Sequence, residues 1–441
     1  MVIAAPRVLL TLLPLFWPKM PPLGLGFLQS YLAQNGINSN ILDLNNIFYN
    51  LADNNLKKQW LLSCNAALEK NILSIIKRNY PTAYNDSIEK MLCYDVLGFS
   101  CFKSNFASTL EIIRLLKAKR KDIKIILGGP EITRQFFKGK GRINSSIVKL
   151  ADYLVVGEGE EPLLNFLISK KNSAKTASFK QLDNLENIDF PRYQGLSVES
   201  YPKKDAMPIQ FSRGCIRRCG FCSERLLYKG LRHRRVKSIV DEIRYHKINN
   251  NTNYFVFFDS LINSSLDKLE DLCDKIIDNF GSINWEAQIA VRDDMSQKLL
   301  ERMKRSGCYN LFVGLESASD NTLKKMNKGF TTKDAISFFK KLNKAGLFFG
   351  ISIIVGYPGE TDRDFRESLD FIIRNRDIIP KIEQVNPFAY YDGTPADKTG
   401  DYKVNRASLG RMQVFIDEIK RSRFKYTNAF LGNLIEKDDG V

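Results

Sequence analysis

The chain has 441 residues, 44% hydrophobic and 26% charged, values ordinary for a soluble protein with room for two or three domains. No apolar run reaches the eighteen or so residues that span a bilayer. Arg7, Pro14 and Pro18 interrupt the apolar start with no small-residue cleavage site behind them, so a cytoplasmic protein without a signal peptide is expected. Lys and Arg exceed Asp and Glu by 17, which could mean a nucleic acid, a membrane surface or an acidic protein partner; the excess is spread along the whole chain, so a solvated basic surface is the default reading and nucleic acid is not the expected partner.

Residues 1–170 alternate apolar runs with helical patterns, the signature of parallel α/β units. Strands are expected at Arg7–Leu15, Asn40–Leu44, Asp95–Cys101, Lys124–Gly128 and Tyr153–Val156, and helices at Leu23–Gln34, Ala107–Lys119 and Glu161–Ile168. Together they predict a doubly wound, Rossmann-like sheet. The stretch from Asn54 to Tyr94 is longer than a crossover needs, and its apolar spacing predicts added helices. Glycine-bearing loops follow several strands, Gly98-Phe-Ser100, Gly128-Gly-Pro-Glu131 and Gly157-Glu-Gly-Glu160, where open parallel sheets bind flat or nucleotide-like groups. Gly24-Leu-Gly26 with Asp43 beyond it suggests a dinucleotide fingerprint. Those glycines stand well after the strand, behind Pro21-Pro22, and the third glycine is missing, so a tight phosphate turn does not fit.

Residues 171–204 have weak periodicity and read as a linker. A second α/β series then occupies residues 205–395. Its expected strands are Ile209–Ser212, Tyr254–Asp259, Ile283–Val291, Asn310–Glu316, Phe349–Val355 and Ile382–Phe388, with helical apolar spacing between them, as at Leu266, Leu269, Leu272 and Ile276. A short tail, 396–441, carries a basic helix around Leu409–Phe424.

The chemistry gathers in Phe211-Ser-Arg-Gly-Cys-Ile-Arg-Arg-Cys-Gly-Phe-Cys222, which brings Cys215, Cys219 and Cys222 onto one loop. Thiolates are the ligands that iron–sulfur clusters and zinc prefer. Three cysteines leave one iron of a cubane open to a small molecule, whereas a structural zinc site is closed by four protein ligands. His233 is the candidate to close a zinc site, but it stands in the cationic run Arg232-His-Arg-Arg235. The other cysteines, Cys64, Cys93, Cys101, Cys273 and Cys308, are scattered singly and read as small buried hydrophobes. Charges recur at successive strand ends, Asp259, Arg292 and Glu316. A solvated strand terminus would account for any one of them; three in succession suggest a site at the carboxyl ends of barrel strands.

The cysteine loop resembles that of the radical SAM superfamily, as do Met326-Asn-Lys-Gly329 and Gly356-Tyr-Pro-Gly-Glu-Thr361, although turn chemistry alone would also explain these last two segments. The resemblance implies an open (β/α)6 partial barrel in which the three cysteines hold a [4Fe-4S] cluster. It implies S-adenosylmethionine on the open iron, cleaved reductively to a 5′-deoxyadenosyl radical. Arg292 would pair with its carboxylate and Glu316 with its ribose or amine, with Asp259 a weaker candidate. The electron would come from an acidic donor such as flavodoxin or ferredoxin.

Pro21-Pro-Leu-Gly-Leu-Gly26, Ile41-Leu-Asp-Leu44, Asp95-Val-Leu-Gly-Phe-Ser100, Gly128-Gly-Pro-Glu131 and Val156-Gly-Glu-Gly-Glu-Glu161 look like the cobalamin-binding domain of one radical SAM subclass. The implied cobalamin contacts are Leu23, Gly24, Ser100, Gly128, Gly129, Glu131, Gly157 and Gly159. The chain departs from the Asp-x-His-x-x-Gly pattern, for its first histidine is His233, so no imidazole of this domain would hold the cobalt. The resemblance implies methylation of an unactivated carbon of a small molecule held between the barrel mouth and the first domain. Cobalamin-linked cyclisation or rearrangement is the close alternative, and a cofactor-binding scaffold or sensor the non-enzymatic one. A transfer-RNA methylthiotransferase would carry three further cysteines at first-domain strand ends and a C-terminal RNA-binding barrel; the first strand has no cysteine and the tail is short and helical.

Overall fold

Five parallel strands in the order β2-β1-β3-β4-β5 form the first sheet: β1 (Val8–Leu12), β2 (Ser39–Asp43), β3 (Val96–Ser100), β4 (Lys124–Gly128) and β5 (Tyr153–Leu154). The computed structural model describes residues 6–61, 66–169, 175–176, 178–391, 393–396 and 406–426, in two units that part between Asp205 and Ala206. Strand β1 is buried along its whole length, as a central parallel strand covered on both faces must be. Its neighbours are β2 on one side and β3 on the other, so the crossovers reverse direction between β1 and β3. The crevice at the carboxyl ends of those two strands is the binding position of such sheets.

Helices α1 (Leu23–Gln34), α2 (Leu44–Leu51), α3 (Asn54–Leu61), α4 (Ala66–Asn79), α5 (Pro81–Leu92), α6 (Phe106–Lys119), α7 (Pro130–Lys138), α8 (Ser145–Leu150) and α9 (Glu160–Ile168) complete the unit. The described residues of the long stretch after α2 form three helices, α3 to α5, as its spacing predicts. Ile72, Ile76, Ile88 and Met91 join Leu9, Leu97, Ile125 and Leu127 of the sheet in one core.

The segment read as a linker packs within this first unit. Leu182, Leu185 and Ile188 close around Phe27 of α1, and Gln29 and Ser30 donate to the carbonyls of Gln194 and Phe190. Other residues of the segment reach elsewhere in the unit, Phe179 onto the main core and Tyr201 Oη to the Asp43 carboxylate, so no single period runs along it.

In the second unit six parallel strands run in the order β13-β12-β11-β10-β9-β6, the open partial barrel: β6 (Ala206–Ile209), β9 (Tyr254–Phe257), β10 (Asn284–Ile289), β11 (Cys308–Glu316), β12 (Phe349–Val355) and β13 (Ile382–Pro387). Strand β6 lies at the sheet edge, which accommodates Pro208 because one edge needs no N–H donor. It ends three residues earlier than expected; Ser212 and Arg213 instead form a short antiparallel ribbon, β7 (Ser212–Arg213) with β8 (Arg232–His233).

The helices of this unit are α10 (Glu224–Leu227), α11 (Val236–Asn249), α12 (Leu266–Phe280), α13 (Gln297–Arg305), α14 (Asp320–Met326), α15 (Thr332–Lys344), α16 (Asp362–Arg374) and α17 (Arg406–Arg421). Their apolar stripes face inward, as with Leu269, Leu272 and Ile276 of α12. Helix α17 buries Met412, Phe415, Ile416 and Ile419 within the same unit.

Cys101, Cys273 and Cys308 are buried as expected, but Cys93 is exposed, because it caps the end of α5 where the chain turns out to solvent. Cys64 lies outside the described residues. No described helix is long and apolar enough to cross a membrane.

Candidate cluster and cofactor site

The three cysteines sit on a loop that is clasped from two sides. Gly214, at φ 90°, passes so close to Gly230 that a Cβ would stand 2.0 Å from its carbonyl oxygen, which ties the loop's entry to the ribbon. Further along, Gly220 N donates to Met326 O at 2.9 Å, Asn327 Nδ2 to Arg218 O at 2.9 Å, and Arg217 Nη1 to Gly329 O at 3.2 Å. Asn327 reaches this position as the left-handed cap of α14, φ 57°. Tyr357 Oη donates to Lys325 O at 3.3 Å and lies 2.8 Å from where a Cβ on Gly220 would stand. Met326–Gly329 and Gly356–Thr361 therefore do more than turn the chain: they hold the cysteine loop.

Cys219 is buried and Cys215 and Cys222 are half-buried. Burial raises all three thiols, Cys222 to about 12, while the Lys328 ammonium works the other way on Cys215 and Cys219. Arg217 N donates to Cys215 Sγ at 3.3 Å. Among the described residues no group of three His, Cys, Asp or Glu side chains forms a single-ion site. The donor set of three thiols on one loop, with an amide already turned to one sulfur, fits an iron–sulfur cluster, whose sulfurs take such outer hydrogen bonds. His233 packs its ring edge-on against Phe211 at 5.2 Å, and burial, followed by Lys268, lowers its pKa to about 4.

The strand-end charges divide into different parts. Asp259 is buried and accepts from Phe211 N, Ser212 N and Ser212 Oγ; desolvation outweighs these bonds and pushes it up to about 6. Its carboxylate is turned to the backbone that leads into the cysteine loop. Arg292 has its fork on Asp294, at 2.8 Å and 2.5 Å, and Nη1 on the Asn263 carbonyl at 2.7 Å. An incoming carboxylate would have to displace Asp294.

Glu316 holds a left-handed backbone, φ 69°, at the end of β11, where the register with β12 slips between Gly314 and Glu316. Such a conformation in a non-glycine residue is strained and recurs at functional sites. Its Oε2 accepts from Ser352 Oγ at 2.9 Å and its Oε1 lies 3.5 Å from Lys328 Nζ. A Cβ on Gly314 would come within 2.7 Å of that Oε1, so glycine makes the room. Lys328 is 9% exposed, with its ammonium over the rings of Phe221 and Phe330. A buried cation between the thiols and Glu316 is what the sequence reading passed over. The only signal was its place in Met326-Asn-Lys-Gly329.

In the first unit, Phe16 after β1 and Phe102 after β3 bring their rings to 4.2 Å at the switch-point crevice. Ser100 ends β3, half-buried. The glycines differ in what they need. Gly129, at φ 97°, would place a Cβ 2.8 Å from Cys101 O, and Gly157, at φ 87°, 2.1 Å from Lys180 O. Gly128 packs on Val155 and Gly159 on Leu28. Packing within the chain accounts for all four. Glu131 is buried and ion-paired with Arg134. Gly24 is exposed beside half-buried Leu23 at the start of α1, with nothing within 4 Å of its absent Cβ. Gly24 therefore leaves room for a group to approach the first turn of α1, and His233 and His246, the chain's two histidines, both belong to the other unit.

Residues 209–372 match the family model of the radical SAM superfamily, and residues 61–167 match that of the B12 binding domain. An uncharacterized methyltransferase of Pyrococcus horikoshii is 24% identical over 295 residues, 63% of this chain and 63% of that protein. A putative methylthiotransferase of Methanocaldococcus jannaschii is 30% identical over 307 residues, 63% of this chain and 65% of that protein. The match thus spans less than two thirds of either relative's length. Among solved structures, the radical S-adenosylmethionine methyltransferase TsrM from Kitasatospora setae, with cobalamin and a [4Fe-4S] cluster bound, has a TM-score of 0.73 at 15% identity, covering 98% of this chain and 95% of that one. That likeness is one of fold. With both family models matched and the partial barrel and the 2-1-3-4-5 sheet in place, the chain is a member of the radical SAM superfamily that carries an N-terminal B12-binding domain.

Proposed function

We propose that this chain is a cobalamin-dependent radical S-adenosylmethionine enzyme that methylates an unactivated carbon of a small molecule, in a reducing compartment such as the cytoplasm. The observation that carries the reading is the clasped three-thiol loop facing the Lys328–Glu316 pair. Cys215, Cys219 and Cys222 would hold a cluster and leave one position to S-adenosylmethionine. Lys328 is the cation placed to meet that ligand's carboxylate, the part expected of Arg292. Glu316, steadied by Ser352, accepts from its ribose or amine. Asp259 keeps Phe211 and Ser212 in place and so fixes the entry of the loop. In the first unit, Leu23, Gly24 and the turns after β1 and β3 would cradle cobalamin. When bound, the cluster and S-adenosylmethionine supply a hydrogen-abstracting radical and the cobalamin a transferable methyl group.

Anaerobic reconstitution with iron, sulfide and cobalamin tests this. The expected result is about four iron atoms and about one cobalamin per chain, reductive cleavage of S-adenosylmethionine, and a folded Cys219→Ala variant that has lost both iron and cleavage. Iron without cobalamin would remove methyl transfer and leave cluster chemistry alone; cobalamin with cleavage but no methyl acceptor would favour cyclisation or rearrangement.

The likeness to a putative methylthiotransferase favours a second reading, sulfur insertion. It needs a second cluster in the first unit, where Cys93 is exposed just past α5 and Cys101 is buried beyond β3. About eight iron atoms per chain and no cobalt would establish it.

A further inference from the structure

The proposed chemistry consumes an electron that no residue of the chain supplies, so a donor must approach the cysteine loop. We propose that the outer face of that loop, Ile216 and Arg218 together with Lys324 and Lys325, is the docking surface for an acidic one-electron carrier protein of the flavodoxin or ferredoxin class. The inference rests on the reading above and adds to it the place where the electron enters.

Side chains alternate along the loop. Cys215, Arg217 and Cys219 are buried or half-buried, while Ile216 and Arg218 are exposed, Ile216 to 43%. Cys215 and Cys222 are themselves only half-buried. Through Asn327–Arg218, Gly220–Met326 and Arg217–Gly329, the end of α14 is fastened alongside, which brings exposed Lys324 and Lys325 to the same edge.

The charge is one-sided. On this face the exposed cations are Arg218, Lys324 and Lys325, against one nearby exposed acid, Asp320, whose carboxylate already accepts from Thr332 N. Asp294, the acid that feels Arg217, is already forked by Arg292. Arg218 and Lys324 have no hydrogen bond or ion pair from their side chains among the described residues. An exposed apolar residue beside the exposed cations Arg218, Lys324 and Lys325, the last held to the Gly359 carbonyl, suits a small, fast, weak interface, the kind that electron-transfer partners form. Charge complementarity makes the partner acidic. In the transfer one electron leaves the reduced carrier, which is oxidised by one electron, and enters the cluster, which is reduced by one; no proton or bond changes hands.

The test compares the reconstituted chain with its Arg218→Glu/Lys324→Glu variant, using a reduced acidic flavodoxin and, separately, photoreduced 5-deazariboflavin, a small uncharged reductant. Cluster bleaching in the visible reports reduction, and calorimetry reports flavodoxin binding. At low salt, reduction by flavodoxin and its affinity should each fall about tenfold or more, with loss of salt dependence, while reduction by deazariboflavin is unchanged. Unchanged flavodoxin rate and affinity would overturn the assignment, as would equal slowing with both reductants, which would mark these residues as supports of the cluster. If no cluster assembles in the parent chain the functional reading fails. Calorimetric binding of flavodoxin to parent and variant still decides the docking surface.

Discussion

Replacing Gly220 with alanine tests whether the clasp around the cysteine loop sets its shape. A Cβ there would stand 2.8 Å from Tyr357 Oη, closer than real Cβ contacts come. Tyr357 cannot easily move away: it is buried, packed edge-on against Phe388 at 5.0 Å and Phe221 at 6.4 Å, and tied to Lys325 O. Overpacking of this kind costs about 1–3 kcal/mol. The narrower unfolded ensemble of alanine returns about 0.4–1 kcal/mol, so a net loss of about 1–2 kcal/mol is expected. Tyr357→Phe alone removes one 3.3 Å hydrogen bond, about 1 kcal/mol. In the double variant the clash is gone, so the two losses should not add: a coupling of about 1 kcal/mol or more is expected in the direction of rescue. Urea unfolding of the barrel unit, followed by tryptophan fluorescence from Trp285, measures the four corners of this cycle. Iron retained after reconstitution should follow the same order. Additivity within about 0.5 kcal/mol would show that Gly220 and Tyr357 do not meet and would refute the clasp.

Lys328→Gln should weaken S-adenosylmethionine binding by about tenfold or more, whereas Arg292→Gln, whose guanidinium is held by Asp294, should have a smaller effect; equilibrium binding to the reconstituted chain decides between the two cations. Glu316→Gly relieves the left-handed backbone but removes the acceptor, so the variant should stay folded by circular dichroism and lose ligand affinity, while Glu316→Ala should be less stable than Glu316→Gly. Asp259 has a folded pKa of about 6 against 3.8 for a free carboxyl, so the folded chain binds its proton more tightly than the unfolded chain does. Stability from this group is therefore greatest below about pH 4 and falls as pH rises to about 6, by about 3 kcal/mol for roughly two units. Urea midpoints across that range should lose this component in Asp259→Asn, and an unaltered pH profile would show that the carboxylate is not the buried group described.

Much of this protein was legible along the chain because the signals are local. Helix α1 and strands β4 and β12 fall on the residues their periodicity predicts, Leu23–Gln34, Lys124–Gly128 and Phe349–Val355, since side-chain period and strand-ending glycine act within a few residues of themselves. The three-thiol loop was equally plain, because three ligand-bearing residues within eight positions have few other reasons to occur together. The order of strands and the part each charge plays were decided by distant contacts. Asp259 meets Ser212 across 47 positions, and Asn327 meets Arg218 across 109. Gly157 needs to be glycine because the Lys180 carbonyl passes it, a contact 23 positions away that the sequence does not display. A strand-end charge looks the same in sequence whether it faces solvent, braces a loop or waits for a ligand; only the partners that folding brings to it, Asp294 for Arg292, the loop backbone for Asp259, the thiols and Glu316 for Lys328, distinguish these states.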